Sequence, residues 1–112
     1  MKIDNYKFGV VSINGKKYFK DLIIKENKIF SPWVREEGHF LKLNDIKEYL
    51  DGAENLIIGN GYSGLMKVSD DLLNYTKEKN IKILILKTKE ACEKFNKIKD
   101  KEKLVCAFHL TC

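Results

Sequence analysis

Leu56-Ile57-Ile58, followed by the loop Gly59-Asn60-Gly61-Tyr62-Ser63-Gly64, and, further along, Ile81-Lys82-Ile83-Leu84-Ile85-Leu86 read as two strands joined by a crossover helix. Between them Ser69 is placed to cap a helix running through Lys79, with Val68, Leu72, Tyr75 and Thr76 along one side and Asn80 as its left-handed stop. The second strand is apolar at five of six positions. A near-continuous apolar strand after a crossover helix predicts a parallel pair covered on both faces. Thr88 opens a second helix, Lys89 to Lys99, with Ala91, Cys92, Phe95 and Ile98 on one stripe. A turn at Asp100 to Glu102 leads to a last strand, Lys103 to Leu110. The C-terminal half is therefore β-α-β-α-β.

Upstream, Tyr6 to Ile13 and Lys16 to Ile24 are rich in β-branched and aromatic residues. Asn14-Gly15 between them accepts the two positive φ angles of a hairpin turn, so an N-terminal β-hairpin is expected. Its register sets Phe8 opposite Asp21 and Tyr6 opposite Ile23, leaving Asp21 on an apolar face. There it either meets Arg35 or sits at the sheet rim in contact with water. Ile29 to Val34 reads as a strand, with Pro32 confining it to an edge or a bulge. Asn44 is placed to cap a short helix, Asp45 to Leu50.

The chain of 112 residues, with no apolar run long enough to cross a bilayer, is read as one domain, residues 1–112. A domain of this size buries roughly 65% of the surface its unfolded chain exposes, which leaves no room for a large two-domain enzyme. Met1 to Tyr6 carries no secretory or transit pattern, so a cytoplasmic location is expected. The net charge of +5 divides as +1 over residues 1–56 and +4 over residues 57–112, where the lysines after Lys87 alternate with acids. Arginine occurs once, as Arg35, among 20 lysines. A sign-mixed lysine surface reads as a solvated face, and nucleic acid is not the expected partner. Three cysteines without C-x-x-C spacing and two distant histidines predict reduced thiols and no metal site.

Gly59-x-Gly61-x-x-Gly64 has the form of a dinucleotide-binding turn, but the capped helix begins five residues beyond Gly64 and no acid follows the next strand, so no cofactor is expected. The glycines serve positive φ or close packing, and the same loop is a candidate to offer N–H groups to a small anion. Cys92, one turn into a helix, is either a nucleophile or a small buried hydrophobe. His39, near Arg35, is either an acid, base or anion ligand or a loop hydrogen-bonder.

Taken in order, Trp33-x-Arg35 with Gly38-His39, Ile58-Gly59-Asn60-Gly61, Thr88-x-x-Ala91-Cys92 with Phe95-Asn96, and the ending Phe108-His109-Leu110-Thr111-Cys112 resemble a small domain family of archaea and bacteria. Its eukaryotic relatives include a mitochondrial complex I assembly factor and an adipogenesis-associated domain protein, and the closing residues look like its archaeal branch. Asn60 stands where that family usually has Thr, and the Asp100 to Lys103 turn lacks the Gly-Arg often found there. The resemblance implies a compact α/β fold with a layered mixed sheet, no cofactor and no established catalysis, and it sets Trp33, Arg35, Gly59, Gly61, Thr88, Ala91 and Asn96 at family positions. The expected function is a non-enzymatic small-ligand-binding or assembly module with a pocket at the Gly59–Gly64 loop, taking a small anionic molecule or a protein partner and no membrane. Its candidate ligand residues are Trp33, Arg35, His39, Gly59, Asn60, Gly61, Thr88 and Asn96. The alternative is a small thiol- or histidine-dependent transferase or hydrolase using Cys92 or His39.

Overall fold

The structure is a computed structural model that describes residues 1–98 and 100–112. In chain order its elements are β1 (Ile3–Lys7), β2 (Val10–Ile13), β3 (Lys16–Tyr18), β4 (Leu22–Lys25), β5 (Lys28–Phe30), β6 (Phe40–Leu41), β7 (Asn55–Asn60), β8 (Lys67–Val68), α1 (Asp70–Glu78), β9 (Lys82–Leu86), α2 (Thr88–Lys97) and β10 (Leu104–His109). The central sheet has the order β5-β4-β10-β7-β9; β10, β7 and β9 run parallel, and β4 and β5 add to them antiparallel. This is the mixed sheet of an α/β fold, with the parallel strands where the crossover pattern places them.

Side-chain alternation along β4, β10 and β7 divides the core in two. Leu22, Ile24, Cys106, Phe108 and Ile57 face one side, where α2 and the sheet formed by β1, β2 and β3 cover them with Phe95, Ala91, Val11 and Ile13. Ile23, Val105, Ala107, Leu56 and Ile58 face the other, under Trp33, Leu41, Ile46, Leu50, Met66 and Leu72. Leu22, Leu56, Ile58 and Phe108 are wholly buried. Each such side chain contributes roughly 1.5–3 kcal/mol relative to exposure.

The N-terminal expectation is half right. Asn14 and Gly15 take φ of 49° and 82°, and Ile13 pairs with Lys16. The long arms are broken, however: Gly9, at φ 81°, turns the chain between β1 and β2, and after Tyr18 the chain leaves for the central sheet as β4. Tyr6 therefore pairs with Val11, and Ile23 with Ala107. The Asp45–Leu50 helix is replaced by two 3₁₀ turns, Leu43–Asp45 and Lys47–Tyr49. The Asp45 carbonyl, which an α-turn would offer to Tyr49, instead accepts the Trp33 indole N–H at 2.9 Å, and Tyr49 N–H goes to Ile46 O. The strand expected at Ile29–Val34 ends at Phe30, on the sheet edge. Ile81–Leu86, expected to be covered on both faces, supplies the opposite edge, with Leu84 and Ile85 partly exposed. The strand before the glycine loop runs on through Gly59 and Asn60. α2 ends at Lys97, Ile98 being extended, and Lys99, the expected last residue, lies outside the described residues.

Candidate functional site

Three cross-strand rows fill the second face of the sheet. Val105 pairs with Leu56, and Ala107 with both Ile23 and Ile58. The third row begins with His109 paired to Asn60; one more step of the β4–β10 register sets Asp21 on the other side of His109. A polar row, Asp21–His109–Asn60, thus closes the apolar ones at the carboxyl ends of the parallel strands, the place where open α/β sheets bind ligands.

Arg35 is laid against this row by the segment after β5. Trp33 N–H donates to Asp21 O at 2.8 Å, the buried indole anchors to Asp45 O, and Glu36 N–H donates to Asp45 Oδ1 at 3.2 Å. The guanidinium carbon lies 4.7 Å from the Trp33 ring centroid, a cation–π contact. Arg35 Nη2 is 2.9 Å from Asp21 Oδ2 and donates to Gly38 O at 2.9 Å. Asp21 Oδ2 also lies 2.7 Å from His109 Nδ1, and Oδ1 accepts Leu110 N–H at 2.8 Å. An approach of 2.7 Å needs a proton between the atoms, so Nδ1 carries the hydrogen and donates it to Asp21. The 3.1 Å contact of Nδ1 with Arg35 Nη2 is then an approach of two donors and not a bond. Burial pushes the Asp21 carboxyl up, but the hydrogen bonds from His109 and Leu110, with Arg35 beside them, outweigh it and hold it below the ordinary value.

What the cluster leaves unspent is as informative as what it uses. Only 4% of the Arg35 side chain and 6% of the His109 side chain are exposed. Arg35 Nε and Nη1, His109 Nε2 and Asn60 Oδ1 are buried with no partner in the protein, and among the described residues these are the buried side-chain polar atoms in that condition. All belong to the polar row or to the guanidinium laid on it. A shallow concavity of ≈ 370 Å³ opens beside it, lined by Phe19, Lys20, Trp33, Arg35, Gly38 and Thr111 among others.

The glycine loop has a different part. Gly59 lies in β7, where a Cβ would stand 2.9 Å from Phe108 Cδ1 and 3.1 Å from Thr88 Cα, so its role is close packing with α2. Gly61, at φ 110°, lies against the C-terminal residues, where a Cβ would be 2.3 Å from the Cys112 carbonyl carbon. The loop N–H groups expected to face an anion are already engaged: Gly61 donates to Thr88 Oγ1, Tyr62 to Thr111 O, and Ser63 and Leu65 to Cys112 O. Thr88 Oγ1 in turn donates to His109 O at 2.6 Å. Gly59, Gly61 and Thr88 therefore act as the support that fixes the backbone of His109.

Of the other candidates, His39 is exposed, its ring centroid 5.8 Å from that of His109 in an edge-on arrangement. Asn96 stands apart, near the far end of α2, about 12 Å along the helix from Thr88. Its side chain pairs with both backbone groups of Ile3 and ties α2 to β1. Cys92 lies in the core under α2, and burial, with Glu93 next, pushes its thiol up to about 12. Asp21 and His109 belong at the centre of the site, and a register count across β4 and β10 would have found them once the break after Tyr18 was recognised.

A mixed sheet with α2 and a three-stranded sheet on one face and α1 with the Trp33 segment on the other is an architecture shared with solved structures. A conserved hypothetical protein from Pyrococcus horikoshii OT3 is similar over 100% of both chains, with 23% identity and a TM-score of 0.85. A Bordetella pertussis protein with a Mth938-like domain is similar over 97% of this chain and 85% of its own, at 10% identity and TM-score 0.76. An outer membrane protein from Bartonella henselae is similar over 98% and 94%, at 21% identity and TM-score 0.74. At these identities the likeness is one of fold. The chain belongs to the family described as Protein of unknown function (DUF498/DUF598), whose model matches residues 3–110. Among the described residues no helix is long and apolar enough to cross a membrane.

Proposed function

We propose that the chain is a non-enzymatic binding module of the kind found in assembly factors, kin to the complex I assembly factor and the adipogenesis-associated protein, and that its contact site is the Asp21–His109–Asn60 row with Arg35. The observation that carries this reading is the set of buried, unpartnered atoms: Arg35 Nε and Nη1, His109 Nε2 and Asn60 Oδ1. A buried donor or acceptor without a partner costs about 1–3 kcal/mol. Four in one place are a standing demand for a group from outside the fold. Against the thiol-enzyme alternative stands the Cys92 side chain, buried and protonated at neutral pH.

The test follows the Trp33 indole and His109 ring resonances of the full chain while anionic and amide-bearing small molecules are added. Saturable shifts that vanish in Arg35→Lys, with the fold retained, are expected. Resonances indifferent to every compound would sink the reading.

A further inference from the structure

The two edges of the central sheet are finished differently. β5 is three residues long, its Phe30 ring centroid lies 5.3 Å from that of Tyr49, and the chain leaves it through Pro32. Shortness and a proline keep a natural edge from pairing. β9 has five residues, and Ile83-Leu84-Ile85 at its middle carry no charge, no proline and no bulge. Leu84 is 36% and Ile85 38% exposed. Lys82 N–H donates to Glu54 O, so Lys82, Leu84 and Leu86 turn their backbone groups toward β7, and Ile83 and Ile85 turn theirs off the sheet.

That edge is complementary to itself. When two copies of β9 lie antiparallel about a two-fold axis at Leu84, Ile83 of each exchanges N–H···O bonds with Ile85 of the other. Leu84 then stands opposite its own copy, and Lys82 opposite Leu86 of the other chain. Charge fits the same arrangement. α2 starts beside Gly59, where Thr88 Cα is 3.1 Å from the position of a Cβ, and Gly59 pairs with Leu86. The helix returns antiparallel to β9, so two strand steps of about 3.3 Å match about four helical steps of about 1.5 Å, which sets Leu84 level with residue 92. Glu90 and Lys94, one turn apart on the same side of α2, flank that level, and the two-fold sets Glu90 of one copy against Lys94 of the other. Lys94 lines a hollow of ≈ 450 Å³ with Lys82, Ile57, Leu84 and Ile98, so the incoming Glu90 meets two lysines over an apolar floor. None of the ion pairs among the described residues uses Lys82, Glu90 or Lys94. Lys87, the cation nearest an incoming Lys82, lies over Gly64 instead, its Cγ 3.4 Å from where a Cβ would stand.

We propose that the partner of this edge is a second copy of the chain, joined at β9 so that two five-stranded sheets become one continuous sheet. The contact is independent of the polar row and of the binding reading above.

The experiment measures the mass of the full chain by sedimentation over a dilution series and cross-links it through a new cysteine. The cross-linking variants carry Cys112→Ser, which leaves only the buried Cys92 and Cys106. A mass of twice 13.0 kDa is expected at the concentrated end of the series. Leu84→Lys sets two charges face to face on the axis and leaves monomer. Glu90→Lys raises the dissociation constant about tenfold, and adding Lys94→Glu restores most of the loss. The Cα atoms of a non-hydrogen-bonded antiparallel pair lie about 4.5 Å apart, within disulfide range, so Leu84→Cys gives a linked dimer on mild oxidation and Lys82→Cys does not. Monomer at every concentration overturns the proposal. So does a dimer indifferent to Leu84→Lys, or one linked through Lys82→Cys and not through Leu84→Cys, since its contact lies elsewhere or in another register. Should Leu84→Lys fail to fold, the exposed Glu90→Lys and the two cysteine variants still decide.

Discussion

The two ends of the central sheet each carry a concavity and an ion pair, and they are built on opposite terms. At the end where β10 and β7 begin, a hollow of ≈ 350 Å³ is rimmed by Lys25, Asp51, Gly52 and Lys103, and Lys103 meets Glu54 at 3.2 Å with 58% and 63% of the two side chains exposed. At the other end, Arg35 meets Asp21 at 2.9 Å with 4% and 17% exposed, and the unspent buried atoms gather round it. Both charged groups of the pair at the first end lie open to solvent. At the second the protein itself must serve the polar groups, and it leaves some unserved. The two hollows are of similar size, ≈ 350 and ≈ 370 Å³; what distinguishes the ends is how much polar chemistry has been withdrawn from solvent.

The largest effect expected from this contrast comes from cutting one partner of each pair. Asp21→Ala leaves the buried guanidinium without its counter-charge and His109 Nδ1–H without its acceptor. A loss of about 3 kcal/mol in urea unfolding is expected, the low end for buried pairs because Asp21 keeps some exposure. Equal losses in Asp21→Ala and Glu54→Ala would erase the distinction between the ends.

Glycines sharpen the same contrast. Gly61 has φ 110° with the Cys112 carbonyl carbon 2.3 Å from where a Cβ would stand, whereas Gly52, at φ 77°, has nothing within 4 Å. Gly61→Ala is expected to cost about 2–3 kcal/mol, since backbone strain and a clash with main chain add together. Gly52→Ala carries the conformational cost alone, about 1 kcal/mol. Thermal unfolding of the two variants measures the difference, and a Gly61→Ala protein no less stable than Gly52→Ala would mean that the contact with the C-terminal residues is loose.

Much of this architecture was legible in the sequence, for physical reasons that also mark where legibility stopped. The β-α-β half announces itself because apolar runs and caps are local signals: Ser69 does accept Leu72 N–H, and Asn80 does take a positive φ. The path after Tyr18 was illegible because a strand's choice of sheet depends on distant partners, here the pairing of Ile23 with Ala107. The hairpin register that leaves Asp21 either meeting Arg35 or sitting at a wet sheet rim does not exist; the pair with Arg35 forms all the same, because one buried carboxylate had one guanidinium to meet. His109 stayed hidden as a centre because its meaning lies in its row, with Asp21 on one side and Asn60 on the other. The loop at Gly61 misled for the opposite reason: its pattern is that of an anion cradle, and only the folded chain reveals Thr111 and Cys112 already lying in it.

The remaining contrast is in acid. Asp21 is held below the ordinary carboxylate value in the folded chain, so the folded state keeps this proton off where the unfolded state, near about 3.9, takes it up. Its stabilising contribution is therefore complete above that unfolded value and is lost as pH falls from there through the lower folded value, with a slope of at most about 1.4 kcal/mol per pH unit for one proton. Other carboxylates titrate in the same range, so the quantity to read is the difference in urea midpoint between the unmodified chain and Asp21→Asn, followed from about pH 6 to about pH 3. That difference should shrink as acid removes from the unmodified chain what the substitution has already removed. The matching experiment with Glu54→Gln should give a difference of no more than about 0.5 kcal/mol, since an exposed pair contributes little at any pH. A gap for Asp21→Asn that stays constant through acid would mean that the hydrogen bonds from His109 and Leu110 are worth the same to a neutral acid as to a carboxylate, and that the polar row is held by shape rather than by charge.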